Sequence, residues 1–179
     1  MFIYFTVLYI HSLKTHSLKI ARNNFANGCG LTEDMLEKMK SAGLTGLSFN
    51  INSSQERPEF NDKYTVNQSK LNEVRLKYAK MVSKVGGLAA AFKITVSNDN
   101  FNEIPGFVQW SINNSKLIHS ITLVAHRGLP VGEGIEYYAD REKIDLKPGS
   151  LGYTISAEEK DKITITSKDI YSKIKEHYP

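Results

Sequence analysis

Short β-rich runs alternate with longer stretches of helical periodicity over most of this 179-residue chain. Such alternation is typical of βα units, in which consecutive parallel strands are joined by crossover helices. Four βα steps are about half of an eight-unit barrel. The pattern therefore predicts an α/β fold, and more specifically a partial (β/α) barrel of parallel strands with helices outside.

The individual elements follow from the spacing of apolar residues, which recur every second residue in strands and every third or fourth in helices. Strands are predicted at 18–23, 44–51, 88–97, 118–125 and 162–166, and helices at 68–85, 103–113 and from Ser167 onward. A further helix is predicted between a Thr32 cap and a stop at Gly43, because acids follow the cap and favour a helix N-terminus. Residues 52–67 are predicted to form a loop, and the chain after Gly128 is predicted to be irregular.

The first ten residues, MFIYFTVLYI, are apolar and aromatic. The run is too short to span a bilayer, no Lys or Arg precedes it, and no clear cleavage site follows it. A buried strand or an accidental start is therefore preferred over a signal peptide. We divide the chain into an unassigned segment 1–17, a partial barrel 18–130 and a C-terminal extension 131–179.

Charge and cysteine content narrow the range of partners. The net charge is +4, from 23 basic and 19 acidic residues. The basic residues are dispersed rather than arranged in a stripe with aromatics, so neither nucleic acid nor a membrane is expected as a partner. Cys29 is the one cysteine, which excludes an intrachain disulfide and fits a reducing cytoplasm.

Three stretches carry a resemblance to a known family. They are ANGCGLT at 26–32 with SAGL at 41–44, LSFNINSS at 47–54, and FKITVSNDN at 92–100 followed by EIP at 103–105. Their order and spacing are similar to the third, fourth and fifth strands of radical S-adenosylmethionine (radical SAM) enzymes. Residues 118–127 would then be the sixth strand.

The resemblance implies an iron–sulfur enzyme that cleaves S-adenosylmethionine reductively to start radical chemistry. In that family three cysteines spaced C-x3-C-x2-C hold a [4Fe–4S] cluster, and this motif is absent, as is the Gly-Gly-Glu-Pro segment. The chain is therefore expected to be a truncated fragment that is inactive alone, with the cluster not ligated by its own residues. A second chain carrying the missing half is the expected partner, and S-adenosylmethionine is expected to bind weakly.

Residues at the C-terminal ends of barrel strands line the ligand site of such folds. By that geometry the candidate cofactor-binding residues are Asn27, Asn50, Asn52, Lys93 and Thr95. Asparagine can bond ribose hydroxyls or a carboxylate, and Lys93 either pairs with a carboxylate or extends from an edge strand into solvent. A structural turn role for Asn50 and Asn52 stays open. Alternation predicts that the apolar neighbours face the helices instead, namely Phe49, Ile51, Ile94 and Val96.

Arg127 ends the sixth strand and is the remaining candidate for cofactor contact, with a solvated loop arginine as the default interpretation. Cys29 is interpreted as a small semi-buried thiol without a redox role. Trp110, Tyr137 and Tyr138 are interpreted as packing residues. No catalytic residue is assigned.

Three alternatives to the radical SAM interpretation are compatible with a chain of this length and pattern. The first is a non-catalytic βα domain that binds a partner chain or a small ligand. A hydrolase is disfavoured, because no Gly-x-Ser-x-Gly elbow or HExxH helix is present. A complete flavodoxin-like sheet is compatible with the pattern, but the chain has no Gly-rich phosphate loop to support its nucleotide site.

Overall fold

The computed structural model describes residues 8–11, 23–52, 67–132, 134–149, 154–156 and 164–178. Its strands are β1 (Leu8–His11), β2 (Asn23–Ala26), β3 (Gly46–Asn50), β4 (Ala89–Val96), β5 (Ser120–Ala125), β6 (Leu129–Val131), β7 (Tyr137–Ala139), β8 (Glu142–Ile144) and β9 (Thr154–Ser156). Its helices are α1 (Glu33–Ser41), α2 (Gln68–Val85), α3 (Ile104–Asn113), which follows a 3-10 turn at Phe101–Glu103, and α4 (Ser167–Lys175). None of the helices in these ranges is both long and apolar enough to cross a membrane.

The main sheet has five strands in the order β1-β5-β4-β3-β2. β2, β3, β4 and β5 pair in parallel, and β1 pairs antiparallel with β5. The predicted α/β fold with parallel strands and helices is therefore confirmed. Among the described strands the sheet stays open, with β1 and β2 as its edges, so the structure does not close a barrel.

The helices cover the apolar face of this sheet. Phe49 of β3 and Phe92 of β4 are register partners whose ring centroids lie 5.5 Å apart. Tyr78 of α2 stacks on Phe49 at 5.3 Å, and Trp110 of α3 meets Phe92 edge-on at 6.2 Å. Along β4 the buried and half-buried positions alternate strictly, because one side meets the helices and the other does not.

α4 packs beside α3 and completes the helical layer over β5. Ile170 and Ile174 belong to the same core cluster as the sheet residues. The Tyr178 hydroxyl donates to the Pro105 carbonyl at 3.2 Å, which fixes the C-terminal end against α3. Thr166 caps α4 in a reciprocal capping box with Asp169, so the helix begins one residue after the threonine cap.

A glycine is required where β2 leads into α1. Gly28 has a φ of +84°, and a Cβ at this position would lie 2.8 Å from the Tyr78 ring. Both the left-handed backbone and the close approach favour glycine. The Asn27-Gly28 turn signal in the sequence thus reflects packing of this loop against α2.

Most of the predicted elements are confirmed, α2 with both bounds. Of the strand predicted at 18–23, only Asn23 is described, and it is the first residue of β2. The other five residues lie outside the described ranges. Of the strand predicted at 162–166, residues 164–166 are not a strand and the first two lie outside those ranges. Residues 53–66 of the predicted loop and residues 1–7 of the predicted N-terminal strand also lie outside them.

The irregular chain predicted after Gly128 is wrong, because this region contains β6 to β9. β6 pairs in parallel with the distant β9, and β7 forms a hairpin with β8. Each is three residues long, too short for a recognisable alternation. The hairpin turn also lacks glycine: Asp140 and Arg141 adopt φ values of 51° and 71°, where Asn-Gly is the usual signal.

Replacing the central core aromatic, Phe92→Ala, should lower the free energy of unfolding by about 3–5 kcal/mol. The side chain is fully buried and contacts both Phe49 and Trp110, so its removal leaves a cavity between sheet and helices. Urea unfolding followed by circular dichroism measures this change. The control Ile112→Ala, at a side chain that is 48% exposed, should cost about 0.5 kcal/mol or less. Equal losses in the two variants would contradict this packing.

Candidate functional site

A group of polar side chains lies at the C-terminal ends of β3 and β4, on the sheet face opposite the helices. We name Asn50, Asn52, Lys93 and Thr95 the polar edge. Asn50 and Lys93 are register partners, so their side chains leave the sheet on the same side and next to each other. Both are half-buried. Their apolar neighbours Phe49, Ile51, Ile94 and Val96 are buried on the helix side, as alternation predicts.

Asn52 is hydrogen-bonded to two other members of the polar edge, Asn50 and Thr95. Its Nδ2 donates to Asn50 Oδ1 at 2.7 Å and to Thr95 Oγ1 at 3.4 Å. Its Oδ1 accepts from the Thr95 backbone N–H at 3.0 Å. The side chain is 7% exposed, so it acts as a bridge that continues the β3–β4 pairing beyond the last backbone pair. This bridge orients Asn50, whose side chain lies beside Lys93 on the same face of the sheet.

Asn100 and Glu103 belong to the third of the stretches that resemble radical SAM enzymes, and both have structural roles beside the polar edge. Asn100 Nδ2 donates to the Thr95 carbonyl at 2.9 Å, and its Oδ1 accepts from Ser97 N–H at 3.0 Å, which closes the turn after β4. The Glu103 carboxylate accepts from the Gln68 N–H at 2.7 Å. Glu103 therefore caps the N-terminus of α2, where an anion is favoured. The same carboxylate disfavours a phosphate at that helix end.

Arg75 lies directly below the polar edge and was missed by the sequence analysis. It is fully buried in α2, and its Nη2 donates to the Ile51 carbonyl at 2.6 Å. The signal that could have found it is its position on the apolar stripe of α2, four residues after Leu71 and three before Tyr78. A charged residue on such a stripe must find polar partners when the helix packs.

Asn27 and Arg127 occupy other strand ends. Asn27 is exposed after β2, and its Oδ1 accepts from the Cys29 N–H at 3.0 Å within its own loop. Arg127 is exposed after β5, and its Nη1 donates to the carbonyls of His126 and Ile165, both at 2.7 Å. Arg127 thus ties the end of β5 to the segment before α4. The structure brings four of the six predicted residues together and gives these two local tasks.

Cys29 and two tyrosines complete the predicted residues. The Cys29 thiol is exposed, so the prediction of a semi-buried thiol is wrong. The described ranges contain no group of three or more His, Cys, Asp or Glu side chains placed to hold a metal ion. Tyr137 is half-buried and donates to the Pro130 carbonyl at 2.7 Å, but Tyr138 is 60% exposed and is not a packing residue.

Within the part of the chain that the structure describes, three groups with shifted pKa values lie away from the polar edge. Hydrogen bonds from Lys143 and Tyr138 lower the pKa of Glu136. The hydrogen bond between Tyr138 and Glu136 also raises the pKa of Tyr138. Hydrogen bonds from Thr166 lower the pKa of Asp169. All three groups are on the surface and have a partner that explains the shift. They do not mark a buried acid–base pair of the kind that catalysis requires.

No protein-family model, curated protein or solved structure matches this chain. The comparisons therefore assign no role to any residue of the polar edge.

The bridge through Asn52 gives a direct test of the site geometry. Asn52→Ala should lower the free energy of unfolding by about 1–3 kcal/mol, because the Thr95 backbone N–H and the Asn50 side-chain Oδ1 lose their partner. Chemical denaturation measures the loss. The control Asn113→Ala removes an exposed side-chain hydrogen bond to Gln109 on α3, and should change stability by about 0.5 kcal/mol or less. A loss of that small size for Asn52→Ala would refute the bridge.

Proposed function

We propose that this chain is a partial (β/α) barrel of the radical SAM type that binds S-adenosylmethionine at its polar edge. The observation that carries the proposal is the register pair Asn50 and Lys93, at the C-terminal ends of parallel strands and away from the helices. That end of parallel strands is where ligands bind in βα folds. The resemblance of the three motifs supplies the identity of the ligand.

The two facing groups suit different parts of S-adenosylmethionine. The Lys93 ammonium would pair with the methionine carboxylate, a charge-assisted contact that is stronger than a neutral one. The Asn50 amide would bond a ribose hydroxyl or share the carboxylate. Asn52 and Thr95 would act indirectly, since their hydrogen bonds to each other and to Asn50 orient that amide. Water competes for these contacts on an open sheet, so weak binding is expected.

The residues present do not fit the cluster that the family uses. Such a cluster needs several cysteine thiolates, and the chain has Cys29 alone, in the loop after β2. We therefore assign no radical step to this chain. The proposed source of a cluster is a second chain that carries the C-x3-C-x2-C motif.

The sheet limits where such a second chain would join. β1 pairs antiparallel along the outer side of β5, at the place where a further parallel barrel strand would lie. β2 is the opposite edge of the five-stranded sheet. A partner that extends the barrel in parallel would therefore add to β2, unless β1 were displaced.

Anaerobic reconstitution tests the cluster statement. After incubation with iron and sulfide, followed by desalting, the chain alone should retain well under one [4Fe–4S] cluster per monomer, because it supplies one thiol. Iron analysis with Mössbauer spectroscopy measures the content, and Cys29→Ser is the matched control for adventitious iron. One intact cluster per monomer would overturn the proposal in this form.

Calorimetric titration tests the ligand. S-adenosylmethionine should bind with a dissociation constant on the order of 1 mM, and Lys93→Gln should weaken it about tenfold. 5′-Methylthioadenosine lacks the carboxylate, so its affinity should be equal for both proteins. Lys116→Gln, at an exposed lysine after α3, is the control that should leave both affinities unchanged. The absence of binding, or an equal loss for both ligands, would contradict the assignment of Lys93.

A further inference from the structure

We propose that Arg75 is the positioning residue of the polar edge. In this view its guanidinium fixes the C-terminal end of β3 and thereby sets where Asn50 and Asn52 lie relative to β4. The inference deepens the proposed function and rests on it for the effect on ligand affinity. Its effect on the geometry of Asn52 stands without any ligand.

The contacts of Arg75 join a strand end to a helix end. Nη2 donates to the Ile51 carbonyl at 2.6 Å and to Gln68 Oε1 at 2.7 Å. Nη1 donates to Asn72 Oδ1 at 2.6 Å. Ile51 is the residue between Asn50 and Asn52. The Ile51 carbonyl belongs to the peptide plane that joins Ile51 to Asn52, so a donor that fixes this carbonyl also fixes the backbone at Asn52. Asn52 in turn holds Asn50 through its Nδ2 hydrogen bond.

The helix α3 also contacts the Arg75 guanidinium. The Arg75 Cζ lies 4.9 Å from the ring centroid of Phe107, which α3 contributes. The end of β3, the first two turns of α2 and the middle of α3 are thus held at one buried point. Arg75 is fully excluded from solvent, so water cannot substitute for these contacts when they are lost.

The chemistry of the contact requires arginine. A guanidinium presents several N–H donors in a rigid plane, so it can serve a carbonyl on one element and two side-chain oxygens on another at once. It also stacks on an aromatic face, as it does on Phe107. Lysine is a flexible point charge and would retain only part of this arrangement.

The test measures the Asn52 side-chain amide, whose Nδ2 protons are hydrogen-bonded in the intact site. In Arg75→Met the exchange of these protons with solvent should accelerate about tenfold or more, because the strand end opens locally. Val82→Ala is the matched control, since it truncates a buried side chain near the other end of α2 and should destabilise the fold without touching this point. Its Asn52 exchange should stay within about twofold of the wild type.

Two milder variants keep the test decisive if Arg75→Met does not fold. Arg75→Lys should restore part of the protection, and Gln68→Met removes one acceptor of Nη2 while leaving Arg75 in place. In both variants the exchange rate of the Asn52 Nδ2 protons should lie between that of the wild type and that of a fully exposed amide. Equal Asn52 exchange in either variant and in Val82→Ala, at matched global stability, would overturn the inference.

Binding of S-adenosylmethionine to the Arg75 variants distinguishes a failure of the positioning role from a failure of the proposed function. With S-adenosylmethionine as the probe, Arg75→Lys should weaken binding several-fold with no change in the number of sites. If wild-type protein does not bind S-adenosylmethionine but Asn52 responds as described, the proposed function fails and the positioning role stands. If the wild type binds and the Arg75 variants keep both its affinity and its Asn52 protection, the positioning role fails alone.

Discussion

β3 and β4 pair in one parallel register in which Phe49 lies beside Phe92 and Asn50 lies beside Lys93. The same pairing therefore builds the core on one face and the candidate site on the other. A slip of one residue would exchange the two faces of a strand and bury its polar residues against the helices. The stacked aromatic pair, held by Tyr78 and Trp110, makes such a slip costly. The position of the candidate site is thus a consequence of core packing.

The face that carries the site differs from the interior of a complete barrel. Closed barrels fill their centre with bulky branched side chains. Here the half-buried side of β4 carries Ala89, Ala91, Lys93 and Thr95, and β5 contributes Ser120, Thr122 and Val124 next to them. Apart from Val124, these side chains are small or polar, and they leave room and hydrogen-bonding groups on this face. That composition suits a ligand-binding surface better than a packed interior.

The sequence predicted the elements whose signals are local. α2 was predicted with both its bounds because its apolar spacing is regular and glycine follows it. The shared face of Asn50 and Lys93 follows from alternation along two strands, since parallel strands that end together place their last residues side by side.

The features that the sequence did not predict depend on contacts between segments that are distant in the chain. The role of Arg75 depends on the contact between the first turns of α2 and the chain that leaves β3, and residues 51–67 separate these two elements. The pairing of β1 with β5 and of β6 with β9 likewise joins segments far apart in the chain. Tyr138 was misassigned because an aromatic pair predicts packing, whereas the hairpin exposes one of its two rings.

The central claim is that Asn50 and Lys93 form one ligand-binding surface on the face opposite the helices. An assigned NMR titration of the full chain with S-adenosylmethionine tests it most directly. The account predicts that the largest shift changes fall on the Asn50 side-chain amide and the Lys93 ammonium group, with smaller changes at Asn52 and Thr95. Changes confined to the helix-covered face, or no change at millimolar ligand, would contradict it.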